Sequence, residues 1–291
     1  MILVAGATGL LGGQITHQLL ERGKPVRLLV RSGSTYDGLV NAGAEAVLGD
    51  LKDRDSVRAA CQGVDTVITT ANAIGRSGAD NLESVDHQGN RNLVDAAAAE
   101  GVGRFVFVSA FGAAPDHPMP LLQAKGQTEL RLRQSGMTWT VLQPNFYMDI
   151  WIPAVVGGPA LAGQPVTLVG DGKRRHSMVA VRDVASYAVA ALDRPEAADQ
   201  TLYVGGPQPI SWLDVVAAFE EELGREVPVR TIAQGEPIPG LPLFVSELAA
   251  ALASYDSPMD VSELTRTYGV APTTVADFVH GFVGASRPRV G

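Results

Sequence analysis

Three glycines lie where a strand pattern gives way to a helix pattern. They stand in the run Gly6-Ala7-Thr8-Gly9-Leu10-Leu11-Gly12, with the spacing G-x-x-G-x-x-G. In such a unit the first glycine permits the turn, the second lets the backbone approach a pyrophosphate, and the third lets helix and strand pack closely. The free N–H groups at the start of the helix attract phosphate. An ordinary glycine-rich turn is the alternative, but the position of the motif favours a dinucleotide. The expected contacts are Gly6, Thr8, Gly9, Leu10, Leu11 and Gly12.

The second predicted strand ends in Leu28-Leu29-Val30-Arg31-Ser32, without an acidic residue. Sites selective for NAD usually place Asp or Glu here, on the ribose 2′-hydroxyl. Arg31 instead suits a 2′-phosphate, because its guanidinium offers a fork of donors. The alternative is a solvated arginine at a strand end, but NADP(H) is the expected cofactor. After the third strand, Asp50 and Leu51 are expected at the adenine, although Asp50 could equally cap the next helix.

The composition bounds the class of protein. The chain has 291 residues, 46% hydrophobic and 19% charged, so it can bury a sizeable core in about two domains or one large α/β domain. A formal charge of −8 argues against nucleic acid or an anionic membrane as partner, because both select a basic face. The single cysteine, Cys61, excludes an internal disulfide. The sequence has no signal-peptide pattern and no apolar run of about 18 residues, so a cytoplasmic protein is expected.

Short apolar runs alternate with amphipathic stretches. Buried parallel strands have this character, and strand–helix alternation with short links predicts right-handed crossovers. The expected fold is α/β, a doubly wound parallel sheet of the Rossmann type. The predicted strands are Ile2–Ala5, Val26–Val30, Ala46–Leu48, Thr66–Thr69, Phe105–Val108, Thr138–Leu142, Gln164–Val169 and Leu202–Val204. The predicted helices are Leu10–Arg22, Ser34–Ala42, Arg54–Gln62, Asn81–Glu100, Leu121–Gln134, Val181–Leu192 and one that follows Ser211 and ends near Leu223.

The alternation loosens after Leu142, and no clean linker separates the two halves. Residues 1–150 are predicted to form the NAD(P)-binding Rossmann core. Residues 151–291 are predicted to form a smaller C-terminal α/β substrate-binding lobe, interleaved with the core. The strand and helix near 164–192 are expected to return to the core. The lobe is expected at the carboxyl edge of the sheet, where such folds bind ligands.

Several short motifs follow one another in an order that a known family shares. Besides the glycine loop and Arg31 they are Asn90–Ala97, Gly103–Ser109, Lys125, Ser135–Thr140, Gln143–Met148, Val181–Ala185 and Tyr203–Pro207. Over nearly its whole length the chain resembles an atypical short-chain dehydrogenase/reductase of the NmrA-like group. That group includes NADPH-dependent quinone reductases, triphenylmethane-dye reductases, isoflavone-reductase-like enzymes and the NmrA redox sensors.

The resemblance implies roles on the fifth predicted helix. The wider superfamily carries Tyr-x-x-x-Lys there, in which Tyr donates a proton and Lys holds the nicotinamide ribose. Lys125 matches and is expected to contact the cofactor and serve catalysis, whereas Leu121 replaces the tyrosine. The position of the superfamily's catalytic serine is occupied by Phe111. Ser109, two residues earlier, is expected to contact the cofactor. The alternative for Lys125 is a surface lysine paired with Glu129 one turn later.

The resemblance also implies which residues surround the ligands. Further cofactor contacts are expected after the fourth and sixth strands, from Thr70, Ala71, Asn72, Pro144, Asn145 and Phe146. Phe111, Tyr147 and Trp151 could wall an apolar slot for a planar ring, with core packing as the alternative. His176 is expected at the entrance of that slot, or else in a solvated basic loop. No spacing of His, Cys, Asp and Glu indicates a metal site.

Without the tyrosine, ordinary ketone reduction lacks its proton donor. The expected function is an NADPH-dependent oxidoreductase that transfers hydride to a planar conjugated acceptor such as a quinone. One alternative is a non-catalytic NADP-binding redox sensor, and another is a ketone or imine reductase of an aromatic biosynthetic pathway. The expected partner is a small aromatic or quinone molecule, with no nucleic acid and no membrane, and the chain is expected to be a monomer or homodimer.

Overall fold

The computed structural model describes residues 1–76 and 78–286, so Ser77 and the last five residues of the predicted lobe lie outside the described residues. Strands β1 to β9 are Ile2–Ala5, Val26–Val30, Glu45–Leu48, Thr66–Thr69, Arg104–Val108, Thr138–Pro144, Val166–Val169, Gln200–Val204 and Val229–Ile232. Helices α1 to α12 are Leu10–Glu21, Asp37–Asn41, Arg54–Cys61, Gln88–Ala99, Pro120–Arg133, Met148–Ile152, Gly158–Leu161, Val181–Leu192, Trp212–Leu223, Leu243–Leu252, Ser262–Tyr268 and Val275–Ser286.

Seven of the described strands form one sheet in the order β3-β2-β1-β4-β5-β6-β8. The pairs from β3 to β6 are parallel, and Ile2 of β1 lies opposite both Val26 of β2 and Thr66 of β4. This confirms the predicted doubly wound α/β fold. Strands β2 and β3 are added on one side of β1, and β4, β5 and β6 on the other, so the order in which strands are added changes side at β1. In such folds, ligands bind outside the carboxyl ends of the strands at this switch point.

The strands that flank the switch point form because their residues are apolar on both faces. Leu3 and Val67 on one face of the sheet and Val4 and Ile68 on the other are fully buried, as parallel strands covered on both sides must be. Leu93 of α4 packs into the same core. Burying one such side chain contributes about 1.5–3 kcal/mol, so the core fixes the strand ends from which the site loops start.

The described chain divides into two compact units, and their limits differ from the predicted ones. The first contains Met1–Pro144, Val184–Tyr203 and Thr267–Val270, and the second contains Asn145–Asp183, Val204–Arg266 and the residues from Ala271 onward. The units are thus interleaved, and the first break comes at Pro144 rather than at residue 150. Most of α8 returns to the first unit. The predicted return of the strand near 164 is wrong, because β7 pairs in parallel with β9 in a separate two-stranded sheet.

The second unit has an apolar core of its own. Val156, Val166 and Phe219 are fully buried in it. Its helix α9 starts as predicted, because the Ser211 hydroxyl accepts from Asp214 N at 3.1 Å while the Asp214 carboxylate accepts from Ser211 N at 2.8 Å. This reciprocal arrangement satisfies two backbone donors at the helix start.

The helix predicted over 81–100 consists of two elements. A π-helical turn, Leu82–His87, precedes α4, and Asn81 caps it by accepting from Ser84 N at 2.9 Å. Such turns are rare and are often found at functional sites. This one carries Asp86, a carboxylate with no exposed surface.

Candidate functional site

The turn after β1 brings the loops after β1 and β4 together. Gly6 has φ of +84°, which a residue with a side chain rarely adopts. A Cβ at Gly6 would lie 2.6 Å from Thr70 Oγ1 and 2.9 Å from Ala71 N. Thr70 Oγ1 also donates to Gly6 O at 3.4 Å. The glycine is therefore required by both conformation and space, and it places Thr70 and Ala71 beside the glycine loop.

Helix α1 begins with an open N-terminus. Gly9 is its N-cap, and within residues 1–76 and 78–286 no side-chain cap bonds its first turn. Gly12 packs on the preceding turn so closely that a Cβ there would lie 2.2 Å from Gly6 O. The flanking side chains that remain at least partly exposed are Thr8, Leu10 and Leu11. The backbone N–H groups and the helix dipole are thus available to an anion, and the packing of Gly12 on Gly6 leaves no room for a side chain at position 12.

Arg31 lies in a cluster of charged side chains after β2 and β3. Its guanidinium donates to the carboxylate of Asp80. Lys52 Nζ lies 2.5 Å from Asp80 Oδ1 and 2.8 Å from Asp50 Oδ2, and Arg76 Nη1 lies 3.4 Å from Asp80 Oδ2. Hydrogen bonds from Lys52 and Arg31 hold the pKa of Asp80 well below its usual range. Arg31 is thus an ion-paired arginine that is still 38% exposed, and its contact with a 2′-phosphate stays a prediction.

Asp50 and Leu51 form the turn after β3. Asp50 Oδ1 accepts from Lys52 N at 2.9 Å in a local turn. Asp50 does not cap α3, because the N-cap is Asp53, whose carboxylate accepts from Asp55 N at 3.1 Å. That alternative is wrong, and contact of Asp50 with adenine stays a prediction. The Leu51 side chain is buried in the core, so only its backbone faces the turn.

Two asparagines shape the segment after β4. Asn72 Oδ1 accepts from Ile74 N at 3.0 Å. Asn90 of α4 is fully buried, and its Nδ2 donates to Ala71 O at 3.2 Å while Thr69 Oγ1 donates to its Oδ1 at 3.1 Å. Asn90 therefore ties the helix to the loop. The sequence contains it in a family motif, but no local pattern indicated this role.

Lys125 is buried within the first unit, with 4% of its surface exposed. Its Nζ lies 3.4 Å from Val108 O, 3.8 Å from Asp86 Oδ1 and 5.1 Å from the centroid of the Phe107 ring. Burial lowers the pKa of Lys125, against the opposing effect of Asp86. The interpretation of Lys125 as a surface lysine paired with Glu129 is wrong.

Asp86 is the buried carboxylate that faces Lys125. Its Oδ2 accepts from Ala73 N at 2.8 Å, whereas Oδ1 is buried and has no hydrogen-bond partner within the described part of the chain. Burial raises the pKa of Asp86. The carboxylate of Asp86 and the ammonium of Lys125 therefore face each other as a buried ion pair, with 3.8 Å between Oδ1 and Nζ.

Glu129 organises a separate buried network. Ser109 Oγ donates to Glu129 Oε1 at 2.5 Å, Gln143 Nε2 donates to the same oxygen at 2.8 Å, and Arg133 Nη2 lies 2.8 Å from Oε2. The hydroxyl of Ser109 is therefore committed inside the protein. Any contact of Ser109 with a cofactor would use its other atoms.

Phe111 and Pro144 meet at the carboxyl ends of β5 and β6. Phe111 N donates to Pro144 O at 3.0 Å. The Phe111 side chain is 37% exposed, and its ring lies edge-on to Tyr203 with centroids 6.2 Å apart. Phe111 thus presents an accessible aromatic surface in the first unit.

In the second unit, His176 belongs to a buried polar network. Burial lowers the pKa of its ring, which is therefore neutral. Nε2 donates to Leu252 O at 3.1 Å, and Nδ1 accepts from Ser257 Oγ at 2.7 Å. Asn145 Nδ2 donates to Ser257 O at 3.0 Å. The interpretation of His176 as part of a solvated basic loop is wrong, because the residue is 1% exposed, and its place at the entrance of the acceptor slot stays a prediction.

Phe146 is the centre of an aromatic cluster in the same unit. Its ring lies edge-on to Trp151 at 6.4 Å and to His176 at 5.3 Å between centroids. Trp151 is partly buried against two apolar clusters, as the core-packing alternative requires. Tyr147 precedes α6 as its N-cap, and its side chain is half-buried.

The predicted contacts thus fall into separate groups. The first unit brings the glycine loop to Thr70 and Ala71, and it brings Arg31 into one charged cluster with Asp50. The second unit brings together Asn145, Phe146, Trp151 and His176. In residues 1–76 and 78–286, no group of three His, Cys, Asp or Glu could hold a metal ion, and none of the helices there has the length and apolar character to span a membrane.

Known proteins resemble the chain in sequence and in fold. A family model described as NAD(P)H-binding matches residues 6–195. NAD(P)H azoreductase of Xenophilus azovorans is 34% identical over 276 residues, which cover 94% of this chain and 87% of that protein. The structure of Citrobacter sp. triphenylmethane reductase complexed with NADP(H) has a TM-score of 0.82 at 21% identity, covering 97% of this chain and 100% of that one. An NADPH-dependent quinone oxidoreductase from Escherichia coli, complexed with NADPH, has a TM-score of 0.80 at 21% identity and the same coverage. At these identities the two structures show a shared fold.

Proposed function

The chain belongs to the NAD(P)H-binding family, and from this membership we propose that it is an NADPH-dependent reductase that transfers hydride to a planar conjugated acceptor such as a quinone. The observation that carries the proposal is the cradle at α1, where Gly12 packs on Gly6 and leaves the helix start open to a phosphate. The names of the similar proteins support the acceptor class, because azo compounds, triphenylmethane dyes and quinones are all conjugated acceptors.

The first unit offers residues for each part of the cofactor. The glycine loop would hold the pyrophosphate, and Arg31 would hold the 2′-phosphate. Lys125 would hold the nicotinamide ribose, because its ammonium has three N–H donors and the described residues supply two oxygens near it, on Val108 and Asp86. When bound, the cofactor supplies a hydride, and the protein supplies orientation and a site free of water.

We infer that Lys125 works without the tyrosine of the Tyr-x-x-x-Lys pair. Leu121 lies one turn before it in α5 and offers no proton. Quinones and cationic dyes need little acid help, because hydride addition gives them a stabilised anion or a neutral product. Phe111 in the first unit and Phe146, Tyr147 and Trp151 in the second stay the predicted acceptor residues.

The test is NADPH oxidation, followed by absorbance, with quinones, an azo dye, a triphenylmethane dye and an aliphatic ketone. We expect turnover of at least one planar acceptor and none of the ketone. Lys125→Met should abolish turnover, whereas Lys24→Met should not change it, because Lys24 lies exposed beside Asp193.

One observation favours a second candidate, a non-catalytic NADP-binding redox sensor. Leu121 and Phe111 stand where the superfamily has its catalytic tyrosine and serine, so neither position offers a proton donor. Tight NADPH binding together with no oxidation by any planar acceptor would establish the sensor and refute the reductase. Turnover of ketones or imines alone would instead favour the biosynthetic reductase.

A further inference from the structure

Asp80 occupies a point where three segments of the first unit converge. Arg31 follows β2, Lys52 follows β3, and Arg76 and Asp80 follow β4. Because these strands are parallel neighbours of β1 or of one another, their following loops meet at one edge of the sheet. All three cations direct their nitrogens to the two carboxylate oxygens of Asp80.

The charges of this cluster are unusual for a surface ion pair. Three cations face two carboxylates, those of Asp80 and Asp50, so the cluster is positive by one charge. Without Asp80 it would be positive by two. A phosphate monoester carries about −1.5 to −2 at neutral pH, which is the charge that would then be balanced. The side chains of Arg31 and Lys52 are 38% and 30% exposed, so a ligand can reach them from solvent.

We propose that Asp80 is a built-in competitor for the 2′-phosphate of NADP(H), and that Lys52 and Arg76 join Arg31 in recognising that phosphate. Carboxylate and phosphate oxygens accept the same charge-assisted hydrogen bonds, so both cannot hold all three cations at once. NADPH must displace Asp80, whereas NADH, which lacks the phosphate, need not. Asp80 therefore narrows the difference in affinity between the two cofactors. This inference rests on the proposed function.

Nucleotide fragments test the competition without any hydride transfer. Calorimetric titration with 2′-AMP and 5′-AMP compares a ligand that carries the phosphate in question with one that does not. Asp80→Asn should bind 2′-AMP about tenfold more tightly, because the ion pairs of Asp80, each modest at a surface, no longer have to be broken. Binding of 5′-AMP should not change.

Asp193→Asn is the matched control. Asp193 is also a carboxylate of the first unit held by two cations, Lys24 at 3.1 Å and Arg22 at 4.0 Å. Its partner Lys24 precedes β2, at the opposite end of the strand from Arg31. The control removes the same charge and should leave both titrations unchanged. Thermal unfolding curves of both variants show whether they fold. If Asp80→Asn does not fold, Asp80→Ser replaces it in the two titrations.

A second variant tests the new phosphate contact from the other side. Lys52→Gln should weaken the binding of 2′-AMP about tenfold, because one charge-assisted contact to the phosphate is lost. The affinity for 5′-AMP should not change. Unchanged 2′-AMP affinity in Asp80→Asn, or an equal gain for both nucleotides, would overturn the competition. If the unchanged protein binds NADP⁺ and Asp80→Asn has no effect, only this inference fails. If the unchanged protein binds neither NADP⁺ nor NAD⁺, the proposed function fails and this inference with it.

Discussion

Replacing Gly12 by alanine tests the cradle at the start of α1, and Gly13→Ala is its matched control. The two glycines are neighbours in the same helical turn, so both substitutions add one methyl group to the same element. At Gly12 the new carbon would lie 2.2 Å from Gly6 O and 2.9 Å from Ala7 Cα. At Gly13 it would lie 3.5 Å from Ala7 O, which is ordinary contact.

The expected free energies follow from these distances. In a helix, alanine is favoured over glycine by about 0.8–1 kcal/mol, so both variants gain this amount. Gly12→Ala must also push the Gly6 backbone away by about 1 Å, and overpacking of this kind costs about 1–3 kcal/mol. Gly13→Ala should therefore be about 1 kcal/mol more stable than the unchanged protein. The free energy of unfolding of Gly12→Ala should be about 1–3 kcal/mol lower than that of Gly13→Ala.

The effect on function should exceed the effect on stability. A displacement of about 1 Å in a positioning group can cost about 100-fold in rate, and Gly6 is the residue that moves. We expect NADPH-dependent kcat/KM to fall about 100-fold in Gly12→Ala and to stay unchanged in Gly13→Ala. Urea unfolding and NADPH titration measure the two effects. Equal unfolding free energies and equal NADPH affinities in the two variants would refute the account of the cradle.

Three further predictions concern buried polar groups. Asp86→Asn should lower the free energy of unfolding by about 3 kcal/mol at pH 7, because the buried Lys125 loses its counter-charge. This loss should shrink as the pH approaches 10.5, where the lysine of the unfolded chain also loses its proton. Urea unfolding at several pH values measures it, and a loss that does not depend on pH would contradict the reasoning. Ser257→Ala should lower the unfolding free energy by about 1–3 kcal/mol, since it leaves the buried Nδ1 of His176 without its hydrogen-bond partner. Ser254→Ala at an exposed position should not, and equal effects of the two substitutions would refute the network. Burial raises the pKa of the Cys61 thiol to about 12, so iodoacetamide at pH 8 should label it only after unfolding, and rapid labelling of the native protein would disprove its burial.

The strands near the switch point could be predicted because their chemistry is local. β1, β2 and β4 are apolar, β-branched runs, and the observed limits equal the predicted ones. β9 could not be predicted from the sequence, because Val229, Arg230 and Thr231 are exposed and no apolar run marks them. The π-helical turn before α4 was also missed, since one extra residue in a helical turn leaves the apolar pattern almost unchanged.

Within the candidate site, backbone requirements were easier to predict than side-chain partners. The spacing of Gly6, Gly9 and Gly12 already indicates a tight turn and a close approach. By contrast, Asp80 lies 49 residues from Arg31 in the chain, and nothing in either neighbourhood shows that they pair. His176 follows three basic residues and looks exposed, yet its partners come from Leu252 and Ser257, far along the chain.

The order of strands in the large sheet has a consequence for synthesis of the chain. β6 ends at Pro144, but its neighbour on one side, β8, starts only at Gln200. The roughly 55 residues between them take about 3–11 s to translate at ~5–20 residues per second. During that time a largely buried, apolar strand has one edge without a partner, which is the kind of edge on which chains aggregate. We therefore expect a chain that ends before Gln200 to contain the whole glycine loop and Lys125 and yet to aggregate more readily than the full chain.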